Sequence, residues 1–327
     1  MNNKKQLRNG MVFVVMFLML VLVLSGCSPV NNYAQLTQRD LRKGSKGLEV
    51  KFLKGIPPDT IFENDPSVFM SISVDNVGAS DIKNGVLSLG FEQDYLVLDK
   101  IIMDDKEYEV NAPIVFDMEG KSLDNPYGGQ TFLEIDSHSK DISLSKFQDT
   151  VVMATACYDY QTILGESVCI DPIQSRTQMH TKACQSSDFS PSSQGAPVNV
   201  QSVSIQSKKV TDDKVRTIFR IKINNNGNGK VVAKGISSKL CSSASLREIP
   251  NFDYRRVLDM LKVNVKLGED IVKCKNDGVV KLENGKSGEA ICEIDTPLRG
   301  EYVTSFVVQL DYGYTFTVQR KLKIEKI

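Results

Sequence analysis

The chain has no tryptophan, and histidine occurs only at His138 and His180 among 327 residues. Its cysteines form no C-x2-C pair, so a structural zinc site lacks its close-spaced ligands. Neither histidine stands where it could be argued to activate a cysteine. The sequence also lacks a G-x-S-x-G elbow, a phosphate loop and a dinucleotide fingerprint. No calcium loop is present in order. Carboxylates are scattered, and Asp104-Asp105 followed by Glu107 and Glu109 reads as a solvated loop. Charge of neither sign dominates: Lys plus Arg and Asp plus Glu each number 40. That balance excludes an electrostatic case for nucleic acid. The expectation is a non-enzymatic protein with no metal and no dissociable cofactor. Its aromatic core must come from 10 Tyr and 14 Phe.

What is there begins with Lys4, Lys5 and Arg8, followed by an uncharged apolar run, Met11–Leu24. About 14 residues fall short of the ~20 a spanning helix needs, and the pattern is that of a secretory signal peptide. The run ends in Leu24-Ser25-Gly26-Cys27, which resembles the lipobox of prokaryotic lipoproteins. The resemblance implies cleavage before Cys27 and a diacylglycerol-type lipid on its thiol. Two acyl chains give stable membrane attachment where one is marginal. The alternative is an uncleaved anchor helix with Cys27 incidental. Either way the expected location is the outer face of the cytoplasmic membrane or the cell surface. Residues 1–26 are then a signal peptide, and 27–46 a lipidated cysteine with a polar tether.

Six cysteines remain: Cys157, Cys169, Cys184, Cys241, Cys274 and Cys292. An even number in an exported chain reads as disulfides, with 15 possible pairings. The expected pairs are Cys157 with Cys169 and Cys274 with Cys292, each clipping a hairpin, leaving Cys184 with Cys241.

From Gly47 onward the dominant signal is period-two alternation. Val68, Met70, Ile72 and Val74 share one face, as do Val215, Thr217, Phe219, Ile221 and Ile223, then Phe316, Val318, Leu322 and Ile324. This predicts strands of a sheet with one wet side. Asn84-Gly85, Asn228-Gly229 and Asn284-Gly285 are hairpin signals. One helix is predicted, from Asn251 as a cap through Tyr254, Val257, Leu258 and Leu261.

Two features recur at nearly equal offsets. A strand runs into Asn76-Val77-Gly78 and again into Asn225-Asn226-Gly227, 149 residues on; a strand carries Tyr158-Asp159-Tyr160 and again Tyr312-Gly313-Tyr314, 154 on. The repeat implies two copies of one module, seamed at the Ser/Gln/Pro-rich stretch 186–197. The strand-Asn-x-Gly pattern resembles immunoglobulin-like modules of prokaryotic surface proteins, such as the cell-adhesion-related domain found in bacteria and archaea. In that family the Asn and Gly, here Asn76, Gly78, Asn225 and Gly227, make the tight turn leaving a strand, since both tolerate positive φ. The expected fold is mainly β: two tandem immunoglobulin-like sandwiches, residues 47–185 and 198–327, the second with a short helical insertion. The tyrosine pairs, repeated with the module, read as core or corner residues.

The function expected is that of a membrane-anchored surface protein that presents these modules for binding an unknown envelope or surface protein or for adhesion to a neighbouring cell. Loops Asp104–Glu109 and Asn125–Gln130 are candidate contacts. Two rivals are a structural subunit of an envelope or secretion assembly and, ranked last, a solute- or glycan-binding lipoprotein.

Overall fold

A computed structural model describes residues 37–171, 182–241, 253–298 and 300–327. Residues Thr37–Ile327 form one compact unit. It is mainly β. After a one-turn helix, α1 (Gln38–Leu41), come β1 (Leu48–Phe52), β2 (Thr60–Phe62), β3 (Val68–Asn76) and β4 (Ile82–Phe91). Next are β5 (Leu96–Met103), β6 (Lys106–Tyr108), β7 (Ile114–Met118), β8 (Gln130–Ser139) and β9 (Phe147–Ile170). The later strands are β10 (Val198–Lys209), β11 (Lys214–Asn225), β12 (Lys230–Val232), β13 (Met260–Leu267) and β14 (Asp270–Cys274). The last are β15 (Val279–Lys281), β16 (Ser287–Pro297) and β17 (Tyr302–Glu325). Among the described residues no helix is long and apolar enough to cross a membrane.

The strands make two sheets. One has five strands in the order β1-β3-β8-β5-β6; the other has twelve, with the main path β10-β11-β16-β14-β13-β17-β9-β4-β7. β14 pairs with β13 through Asp270–Val272 and with β16 through Lys273 and Cys274, so the larger sheet turns a corner there. The spine is β9 against β17, antiparallel and in unbroken register over 24 residues each, roughly 80 Å of extended chain. Even-numbered residues of β9 from Val152 to Leu164 are buried, while Met153 on the other face is exposed. One apolar cluster runs through both halves, from Leu48 and Met70 to Phe219, Phe306 and Ile324.

The predicted alternation is observed in β11 and at the end of β17; in β3 it fails, since Ser71 and Ser73 on the face expected to be wet are buried along with Met70, Ile72 and Val74. Other expectations change. Asn84-Gly85 is no hairpin: it lies inside β4, where Asn84 takes φ 52 and the β4–β7 register shifts, a bulge that absorbs the positive-φ residue. Asn284-Gly285 does turn a chain, with φ of 51 and 68, between β15 and β16. The predicted helix is reduced to a three-residue 3-10 turn, Tyr254–Arg256. Its proposed cap Asn251 lies outside the described residues, and Leu261 sits in β13. There Leu261, Val263 and Val265 alternate inward and β13 pairs with β17, so strand periodicity overrides the weaker helical spacing.

Six cysteines form three disulfides, and two of the expected pairs are corrected. Cys157 joins Cys241 and Cys169 joins Cys184, while Cys274 joins Cys292 as expected. Cys157 and Cys169 share one strand, where twelve residues span about 40 Å. A disulfide tolerates Cα separations only up to about 7 Å.

Candidate functional site

The β9–β17 register is symmetric about one residue pair, Asp159 opposite Gly313. Tyr158 therefore faces Tyr314, and Tyr160 faces Tyr312. All four rings are buried on the same face and contact one another at centroid distances of 5.5 to 6.4 Å. This cluster sits where the two sequence repeats meet.

The hydroxyls cap the chain at equivalent points in each repeat. Tyr158 Oη accepts the Leu48 N–H at 3.2 Å, where β1 begins, and Tyr312 Oη accepts the Val198 N–H at 3.4 Å, where β10 begins. Tyr160 Oη accepts the Ser80 N–H at 3.1 Å and Tyr314 Oη the Gly229 N–H at 2.7 Å, each just past an Asn-x-Gly turn. Burial holds the Tyr158 and Tyr312 hydroxyls protonated well above the usual phenol range, and pushes Tyr314 up to about 12. These are corner residues fixed by buried hydrogen bonds, not a surface aromatic pair.

Both Asn-x-Gly turns are built alike. Asn76 donates Nδ2–H to the Ser80 and Met118 carbonyls and accepts the Gly78 N–H on Oδ1. Asn225 donates to the Gly229 and Gly285 carbonyls and accepts the Gly227 N–H. None of Asn76, Gly78, Asn225 and Gly227 has positive φ. The glycines are required for space instead. A Cβ on Gly78 would lie 2.0 Å from Tyr160 Oη, and one on Gly227 would lie 2.0 Å from Tyr314 Oη. The Asn-x-Gly and Tyr-x-Tyr repeats are thus two sides of one contact.

The symmetry breaks at its centre. Between β12 and β13, which pair with successive stretches of β17, the second half makes an excursion whose described residues are 233–241 and 253–259. It crosses onto β9: Cys241 bonds Cys157 beside Val86. The Asp159 carboxylate accepts the Gly235 N–H at 2.8 Å and the Ser237 hydroxyl at 2.6 Å. Gly313 makes room, since a Cβ there would meet Val232 and Ser237 under 3.0 Å. Nearby, the buried Asp311 carboxylate accepts from Lys234, Gln161, Asn264 and Gln309 at 2.8 to 3.0 Å. Burial pushes its pKa up, but the bonds from Lys234, Gln161 and Gln309 outweigh it and leave the carboxyl below its usual range. Neither Asp159 nor Asp311 stood out in the sequence, where nothing marks one Asp among many.

A groove of about 250 Å3 runs between Ser45–Lys51 and the Gly227–Gly229 turn, floored by Tyr158, Tyr314 and Phe316. Two larger clefts of about 560 Å3 flank the linker, one bordered by Arg42 and Gln194 and the other by Lys43 and Phe189. Among the described residues no group of three His, Cys, Asp or Glu could hold a metal. Of the expected Asp104–Glu109 loop only Asp104 and Asp105, both at positive φ, turn the chain between β5 and β6; Lys106–Tyr108 is strand β6 itself. In the Asn125–Gln130 loop Tyr127 is 88% exposed. Cys27, the signal segment and His180 lie outside the described residues.

No family model matches the chain, and no curated protein matches it. A search of solved structures returns the C-terminal domain of the Streptococcus pyogenes antigen I/II-family protein AspA. It is 7% identical, over 86% of this chain and 100% of that one, with a TM-score of 0.17. A likeness that slight carries neither fold nor function.

Proposed function

We propose that the protein is a lipid-anchored, extracytoplasmic, non-enzymatic protein whose two repeats are immunoglobulin-like modules that bind an envelope or surface protein. The observation that carries this reading is the set of three disulfides. Oxidising compartments permit such bonds and the cytosol does not, which agrees with a signal segment ending in Leu24-Ser25-Gly26-Cys27. Lipid on Cys27 would hold the chain at the membrane, with residues 28–46 as tether. A sheet-rich body with loops and strand edges suits binding by loop contact or strand addition.

The test is peptide mapping by mass spectrometry, without reduction, on protein from native membranes. An amino-terminal Cys27 bearing lipid, together with the three linked pairs, is the expected result. An intact Met11–Leu24 segment with free thiols would remove both the anchor and the compartment.

A further inference from the structure

β1 and β10 are equivalent edge strands of the two repeats, each starting at a backbone N–H bonded to a tyrosine hydroxyl. Their outer edges differ. Along β10 the chain's own linker covers the outward groups. The Gln194 side chain accepts the Val200 N–H at 2.8 Å and donates to the Val200 carbonyl at 3.3 Å. Phe189 exchanges two backbone bonds with Val203, and Asp188 accepts the Ile205 N–H. Gln194 is itself buried.

Along β1 no comparable cover is found among the described residues beyond the Tyr158 hydroxyl at Leu48. The ladder to β3 uses the odd-numbered residues, as the bonds Val77 N–H to Gly47 and Leu53 N–H to Ser71 fix. The N–H and C=O of Val50 therefore point away from β3. Val50 is 3% exposed, yet no described residue pairs with either group. Buried backbone N–H groups without a partner are rare in folded proteins. Val50 lines the 250 Å3 groove floored by Tyr158, Tyr314 and Phe316. On its rim stand Lys46 and Lys51, 62% and 59% exposed, sharing Glu49 between them.

We propose that this groove is a strand-addition site for an extended segment of a partner protein, running antiparallel to β1. A Gln or Asn side chain of that segment makes the two bonds to Val50 that Gln194 makes to Val200. The two lysines against one glutamate favour an acidic flank on the segment. The proposal deepens the protein-binding reading above and rests on it. Its test needs no anchor, so a free Cys27 would leave this result untouched, and a failure here would leave the lipid result untouched.

The probe is the chain's own linker sequence as a synthetic peptide, residues 187–194 with blocked ends, added to the full chain in detergent micelles. Hydrogen–deuterium exchange is followed on the segment containing β1. Exchange at Val50 should slow at least about tenfold with peptide, and a peptide carrying Gln194→Ala should leave it unchanged. Equal slowing by both peptides, no slowing at millimolar peptide, or a Val50 amide already protected in the free chain would each overturn the site.

Discussion

The half of the molecule built from β1 to β9 and the half built from β10 to β17 solve the same corner with the same residues. Tyr160 against Gly78 in one is Tyr314 against Gly227 in the other, with Asn76 and Asn225 closing the turns identically. They part company at the dyad and at the edges. Asp159 receives the excursion where Gly313 only yields space, and the linker pairs with Val200 of β10 where no described residue pairs with the outward groups of Val50 in β1. Repetition survives at the tyrosine corners, where losing the partner of a buried backbone group costs about 1–3 kcal/mol. At the dyad the divergence lies where the second half has extra chain to place.

That comparison can be attacked most strongly at the link between halves. Replacing Cys157 and Cys241 with alanine opens a loop of 84 residues, which chain entropy values at about 4.5 kcal/mol. Replacing Cys274 and Cys292, 18 apart on adjacent strands, should cost less, about 3 kcal/mol. Urea denaturation of both double variants gives the order, and a reversed order would mean the excursion adds little to the union of the halves.

Gly78→Ala and Gly227→Ala come next, each at about 3 kcal/mol by overpacking against a buried tyrosine. Gly78→Ala should be the worse, since its Cβ would also meet the Gly195 carbonyl at 2.7 Å and Gly47 Cα at 2.9 Å. If thermal melts found either substitution harmless, the two turns would not be equivalent.

Tyr158→Phe and Tyr312→Phe each leave a strand-initiating N–H unpaired, worth about 1–3 kcal/mol. The same hydroxyls set an alkaline limit. Their folded pKa values are raised over an unfolded value of about 10, and Tyr314 lies at about 12. Stability should be complete below pH about 10 and fall as pH rises through about 12, read by circular dichroism. A flat profile across that window would contradict the buried tyrosine cluster.

The smallest effect is expected at the centre. Asp159→Gly makes the dyad symmetric but removes two acceptor bonds, at about 1–2 kcal/mol. Raised exchange in residues 233–241 with β9 itself unchanged is the expected pattern. Asp311 offers a parallel acid-side check. Its depressed pKa means its contribution holds above pH about 4 and is lost as pH falls through its lower folded value.

Much of this was legible beforehand. The alternation in β3, β11 and β17 and the near-equal offsets of the Asn-x-Gly and Tyr-x-Tyr pairs announced a β-rich repeat. What misled were short-range rules applied to a long-range object. Twelve residues between Cys157 and Cys169 look like a hairpin until both are found on one 24-residue strand. Positive φ is the usual reason for Asn and Gly in turns, yet here Tyr160, far along the chain on β9, excludes the Cβ of Gly78. Gln194 and Val50 carried no signal, because their meaning depends on which edge each half leaves open.

The sequence by itself determined that the chain is strand-forming, repeated and supplied with an even set of cysteines beyond Cys27, since periodicity, offsets and counts are local properties. Only the tertiary structure decided that the two repeats share one spine, which cysteines meet, and which backbone groups are covered. Pairing between distant strands is set by the packing of whole faces, and no window of sequence contains both partners.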